Sequence, residues 1–152
     1  MNGMLEVNML SSLGGVIRHL TLDVGTDVVA ACALACPKLL SLALTLRPEN
    51  SATNTVGLAH AVAVLIWVQN RAAQDLANLS SLKRLSLQLN PEIEHHRPAI
   101  AIVLKNTEKR ERKVLADFQR TLPSLRDVHL PSDRLWKLFN EGWEVVFRPP
   151  SL

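Results

Sequence analysis

The feature that most constrains this chain is a phrase of spaced leucines that returns along it. Leu79, Leu82, Leu85, Leu87 and Asn90 spell L-x-x-L-x-x-L-x-L-x-x-N. Alternate side chains of a strand point to opposite faces, so Leu85 and Leu87 look the same way, toward a core. Lys83, Arg84, Ser86 and Gln88 are then left to face outward. Leu79 and Leu82 lie just upstream, where the chain leaves a helix and turns into the strand, and can fill the same apolar layer. Asn90 suits the turn that follows, because its amide can satisfy backbone groups that have left the ladder.

Three other stretches echo the phrase. Leu39 to Leu44 repeats L-x-x-L-x-L, with Cys36 in the slot that Leu79 fills. Leu122 to Leu130 reproduces every apolar slot, with Asp133 at the asparagine position. Val16 to Val24 alternates apolar and polar from Arg18 onward and reads as the first strand. The key strand positions are Leu20, Leu42, Leu85 and Val128, separated by 22, 43 and 43 residues. Such a chain should lay these positions side by side in one mainly parallel sheet, with strand order following chain order.

The stretches between read as helices. Val28, Ala31, Cys32 and Ala35 predict a helix from Asp27 to about Cys36, capped by Thr26 or Asp27 and stopped by Pro37. One long helix is predicted over 55–78; its rival is a hidden strand, because Val62, Leu65, Trp67 and Asn70 also match the strand phrase. Residues 98–122 read as one helix, or two with a break near Asn106 and Thr107, and a short helix is predicted from Asp133 to about Asn140. Trp143 to Phe147 reads as a final strand or a capping segment.

At 152 residues one domain is the natural expectation, with 1–13 as a lead-in and 131–152 as a C-terminal cap. Hydrophobic residues make up 47% and aromatic residues only 4%, so the core must be aliphatic. The net charge of +3 is already matched by the local sum over Lys105 to Lys113, which leaves no chain-wide basic field of the kind that binds nucleic acid. Cys32 and Cys36, four apart on a predicted helix, read as buried free thiols and suit a reducing, intracellular compartment, cytoplasmic or nuclear. The longest apolar run, Leu58 to Val68, is too short to cross about 30 Å of hydrocarbon as a helix, so no membrane partner is expected. Met1 to Leu13 lacks the form of a targeting segment, and the early start of strand-like sequence suggests a piece of something longer.

The pattern resembles a leucine-rich-repeat protein. Its phrases R-H-L-x-L (18–22), C-P-x-L-x-x-L (36–42) and L-P-S-L-R-x-V-x-L (122–130) resemble the repeats that follow an F-box in fungal F-box proteins. The resemblance covers roughly residues 16–130 and includes no F-box-like segment. It implies an α/β solenoid, with a parallel sheet of about four strands on one side and helices on the other. That solenoid would hold a protein substrate while an F-box docks to a ubiquitin-ligase scaffold. The asparagine position holds Gly25, Arg47, Asn90 and Asp133 in turn, so a regular asparagine ladder is not implied.

The expected use is therefore a non-catalytic protein-interaction module, with the outward strand face as its site. Arg18, Arg84 and Arg126 precede the key strand positions and are expected to stack as a basic row, broken at the second strand by Leu40. His19, Ser86 and His129 should share that face. Such a row favours an acidic protein segment, through contacts that arginine's planar fork makes two at a time to a carboxylate. No catalytic group, metal or cofactor is expected: the cluster Glu92, Glu94, His95, His96 reads as solvent-facing, and Ser, Asp and His occur without a nucleophile elbow. Trp136 and Trp143, with Leu135, Leu138, Phe139, Val145 and Phe147, should close the C-terminal end of the core, leaving the first strand as the poorly covered edge. The alternative is an all-helical scaffold or a small enzyme in which the leucine phrases are accidents of composition.

Overall fold

The computed structural model describes residues 14–47, 58–89 and 107–147. The chain runs through β1 (His19–Gly25), a 3-10 turn (Thr26–Val28), α1 (Val29–Ala35), β2 (Ser41–Arg47), α2 (Leu58–Asn70), α3 (Ala72–Asp75) and β3 (Arg84–Leu89). It continues through α4 (Thr107–Thr121), β4 (Asp127–His129), β5 (Leu135–Phe139) and β6 (Gly142–Phe147). All six strands form one sheet whose spatial order is the chain order. β1 to β4 are mutually parallel, and β5 and β6 join antiparallel. The molecule is thus mixed α/β, which removes the all-helical alternative, and its sheet is mixed where a parallel one is expected from sequence.

The four key positions fall into a single row across the sheet. Leu20 lies opposite Leu42, Leu42 opposite Leu85 and Leu85 opposite Val128, and the row continues through Trp136 to Val145. Leu22, Leu44 and Leu87 make a second row, and Val24, Leu46 and Leu89 a third. From β2 to β4 these side chains are buried. Each leucine so removed from water contributes about 1.5–3 kcal/mol, and the rows hold the sheet against the helical layer.

The approach to three of the strands is built alike. Leu39 N–H donates to Cys36 O (3.4 Å), Leu82 N–H to Leu79 O (3.0 Å) and Leu125 N–H to Leu122 O (3.1 Å). All six of these side chains are at most 1% exposed. The L-x-x-L spacing therefore encodes one tight turn that drops two apolar side chains into the core just before the strand.

The helices correct several expectations. Neither Thr26 nor Asp27 caps the first helix; the chain leaves β1 through the 3-10 turn, and α1 has no side-chain cap hydrogen bond. The long helix predicted over 55–78 is α2 and α3, interrupted at Arg71, and the rival strand reading fails because Val62 to Asn70 is helical. The interruption is held by Trp67, whose Nε1–H donates to Asp75 Oδ2 at 2.9 Å. Residues 107–121 form a single helix; residues 55–57 and 98–106 lie outside the described residues, as do Asn90 and the Glu92 to His96 cluster.

The largest correction is at the C-terminal end. Where a helix is predicted over 133–140, Leu135 to Phe139 is β5, joined to β6 by a two-residue connection, Asn140 and Glu141, with Gly142 at φ +124° just after it. Tight hairpins of this kind commonly need a positive φ, which glycine adopts without strain. Trp136 and Trp143 are 0% and 7% exposed, so the hairpin does close the core, whereas Phe139 and Phe147 are about half exposed and do not belong to the lid. At the other end Leu20 and Leu22 are only partly buried, unlike their row mates in β2 and β3. The other edge strand is no better covered: Val145 of β6 is also only partly buried, so the expectation that the first strand is the poorly covered edge does not distinguish the two ends.

Candidate functional site

The outward face of the sheet carries the rows that alternate with the core rows. His19, Ser41, Arg84, Asp127, Lys137 and Glu144 form one of them. Thr21, Ala43, Ser86, His129 and Leu135 form the next. From β3 to β6 the first row alternates in sign: Arg84, Asp127, Lys137, Glu144. Opposite charges directly across strands favour the register. Arg84 Nε stands 3.4 Å from an oxygen of Asp127, with the arginine side chain 76% exposed.

The predicted basic row is split by this register. Arg84 lies in the row of His19 and Asp127, whereas the residues one step earlier are Arg18, Leu40, Lys83 and Arg126, linked by hydrogen bonds from Leu40 N to Arg18 O, Lys83 N to Leu40 O and Arg126 N to Lys83 O. By strand alternation this earlier row shares the parity of the core leucines, but it precedes the strands and its cations are exposed. Its two arginines act alike. Arg18 Nη1 donates to the carbonyls of Gly15 and Ile17 (3.4 and 3.5 Å), and Arg126 Nη1 donates to those of Pro123 and Leu125 (3.2 and 2.8 Å). In both cases the acceptors are three and one residues back, so each guanidinium ties down the loop that delivers its own strand. Arg18 and Arg126 therefore lie apart from the row that holds Arg84.

Arg84, Ser86, Asp127, His129, Leu135 and Lys137 do come together, lining a shallow depression of about 370 Å³ over β3, β4 and β5. Ser86 lies opposite His129 in the register. His129 Nε2 is 2.8 Å from Asp133 Oδ1, and Gln88 Nε2 donates to the carbonyls of His129 and Leu130 (3.3 and 3.1 Å). Asp133 has φ +72°, a left-handed conformation that aspartate tolerates better than most residues, and it reverses the chain so that β5 can run back along β4. Lys137 and Leu135 escape the sequence reading because β5 is read there as a helix. The signal that finds them is the alternation of Trp136 and Leu138 with Lys137 and Phe139, followed by Gly142.

Behind the sheet a second polar group is buried between α4 and the hairpin. Glu111, 6% exposed, accepts a hydrogen bond from Trp136 Nε1–H at 2.8 Å, and Arg134 Nη1 stands 3.8 Å away. Arg112 places its guanidinium 5.0 Å from the centroid of Trp136 and donates to Trp143 O at 3.0 Å. Burial pushes the Glu111 carboxyl above its ordinary 4.5, against the opposing pull of hydrogen bonds from Ser132 and Trp136 and of the Arg134 charge. A carboxyl whose folded-state pKa is raised binds its proton more tightly folded than unfolded, so stability falls as pH climbs through the interval between the two values. Urea unfolding across pH should show this fall beginning near 4.5, and Glu111→Gln, which keeps an acceptor for Trp136, should flatten it. An unchanged pH profile in that variant would show that Glu111 is ionised at no cost.

Among the described residues no group of His, Cys, Asp or Glu side chains is placed to hold a metal ion, and no helix is long and apolar enough to cross a membrane. Cys32 and Cys36 are buried and are not joined in a disulfide, and burial raises the pKa of Cys36. Comparison of the chain with family models, with curated proteins and with solved structures finds no match.

Proposed function

We propose that this chain is a non-catalytic protein-interaction module of leucine-rich-repeat type, serving as the substrate-recognition part of an F-box-type ubiquitin-ligase adaptor. In this reading the outward sheet face binds a protein, with the depression over β3 to β5 as its centre. The observation that carries it is the stacking of β1 to β4 in chain order and in register, which presents short polar and charged side chains from successive strands on one extended face. Affinity on such a face concentrates in a few central residues. Arg84 and Lys137 flank Asp127 there. An exposed ion pair such as Arg84 with Asp127 holds by only about 0–1 kcal/mol, so the guanidinium is available to an acidic partner segment. Arg18 and Arg126, engaged with their own loops, contribute less than Arg84 does.

Capture from a cell lysate tests the reading when variants of two faces are compared. A partner retained by the parent and by the helix-side variant Lys109→Glu/Lys113→Glu should be lost, by more than tenfold at low salt, from Arg84→Glu/Lys137→Glu. Equal retention by both variants would remove the sheet face from the site. Reversing both charges leaves Asp127 between two carboxylates in the same cross-strand row, so the melting temperature should fall; circular dichroism that stays that of the parent at the capture temperature separates lost binding from lost folding. The adaptor part has its own test: the reading frame upstream of Met1 should encode an F-box, and its absence would leave an interaction module without a ubiquitin-ligase role.

A further inference from the structure

The charged part of the outward face has a period as well as a sign. Arg84, Asp127, Lys137 and Glu144 stand one on each of β3, β4, β5 and β6, directly across from one another. Neighbouring strands lie about 4.8 Å apart, so these positions fall at about 0, 4.8, 9.6 and 14.4 Å along a line that crosses the strands. Arg84, Lys137 and Glu144 are exposed and Asp127 is half-buried. The next row ends in an apolar pair, Leu135 opposite the half-exposed Phe147. What the row fits depends on which backbone can present matching charges at that spacing. An extended segment brings every second side chain to one face, about 6.8 Å apart, which sets its second charge midway between Asp127 and Lys137, two groups of opposite sign. An α-helix rises about 1.5 Å per residue, so positions i, i+3, i+7 and i+10, which share one face, fall at about 0, 4.5, 10.5 and 15 Å. The helical positions stay within about 1 Å of the row along its whole length.

We propose that the face over β3 to β6 takes a helix of the partner protein, laid across the strands, whose charges alternate in sign at i, i+3, i+7 and i+10. The inference rests on the reading that the sheet face binds a protein, and it names the element that the partner presents. Acidic side chains of the helix meet Arg84 and Lys137, and basic ones meet Asp127 and Glu144. The same alternation places opposite charges three and four residues apart within the helix, so the helix that suits the row also stabilises itself. Within the row each charge lies across from one of opposite sign, with Arg84 Nε 3.4 Å from Asp127. Those cross-strand pairs keep the charges in line, and exposed pairs are weak enough to share their groups with an arriving helix. Leu135 and Phe147 supply an apolar flank beside the charged line. Leu135 lines the same depression as Arg84, Asp127 and Lys137.

Synthetic peptides of equal composition, titrated into the isotope-labelled full chain at low salt and followed by NMR shifts, test this. One is a stapled alanine-rich helix with Glu, Lys, Glu and Lys at the four positions, and the second is the same helix with Glu, Glu, Lys and Lys. That second order matches the row in neither direction along it. The third is a threonine-rich, non-helical peptide with alternating charges at every second residue. The alternating helix should bind more than about fivefold tighter than either of the others, with shifts gathered on β3 to β6. Asp127→Lys/Lys137→Asp regroups the row by sign and should reverse the preference between the two helices, circular dichroism reporting that the variant is folded. Equal affinity for the two helices in the parent would overturn the proposal whatever that variant does. So would tighter binding of the extended peptide, shifts gathered on α4, or a folded variant that keeps the parent's preference. A parent that ignores the order of charges while its captured partner is still lost from Arg84→Glu/Lys137→Glu would sink the helix and leave the sheet-face reading standing.

Discussion

Leu85→Ala should lower the free energy of unfolding by about 2–5 kcal/mol, measured by urea denaturation. Leu85 is 3% exposed and stands between Leu42 and Val128 in the row that crosses the whole sheet. Truncation removes the transfer energy of the lost carbons and leaves a void that neighbours on both adjacent strands border. Collapse of that void is resisted because those neighbours are themselves fixed by ladder hydrogen bonds on either side. The contrast is Leu34→Ala: that side chain is 68% exposed, and its loss should cost no more than about 0.5 kcal/mol. Similar costs for the two substitutions would show that the leucine rows do not form the core described above.

The second large effect is expected at Trp136, which joins both layers of the molecule. Its ring is fully buried between Val128 and Val145, its Nε1–H bonds Glu111, and the Arg112 guanidinium lies over its face. Trp136→Ala should cost about 3–5 kcal/mol, the usual range for a buried large aromatic. Trp136→Phe retains most of the apolar area but leaves Glu111 without that donor, which should cost about 1–3 kcal/mol. If the hydrogen bond is the reason, the cost of Trp136→Phe should shrink in a Glu111→Leu background, where no buried carboxyl awaits a donor. A cost that is the same in both backgrounds would assign the loss to packing alone.

The parts of this fold that were legible in the sequence are those set by local periodicity. Leu82, Leu85 and Leu87 announce a strand and its entry turn because the two-residue alternation and the three-residue step are both imposed by backbone geometry. That is also why Cys36 could be matched to Leu79 without any structure. The hairpin was not legible in the same way: Leu135, Trp136, Leu138 and Phe139 fit a helical stripe as well as a strand whose two faces are both partly covered. The alternation is spoiled by the apolar Phe139, and it takes Gly142, at a φ that glycine tolerates, to favour the turn. The break at Arg71 was hidden because it depends on a contact between Trp67 and Asp75, eight residues apart. The site was half legible for a related reason. Arg84 and His129 could be placed on the outward face, but the offset between Arg84 and the pair Arg18 and Arg126 depends on which residue each strand pairs, and a one-residue difference moves a side chain to the opposite face.

The central claim, that the outward sheet face is where this chain meets its protein partner, is tested most directly by amine-reactive cross-linking of the captured complex, read by mass spectrometry. Lys83 and Lys137 are exposed at the start of β3 and on β5, and Lys109 and Lys113 are exposed on α4. Links from the partner should concentrate at Lys137, which lies in the outward row, with Lys83 at the rim of that face. Links confined to Lys109 and Lys113 would contradict the claim and move the site to the helical side.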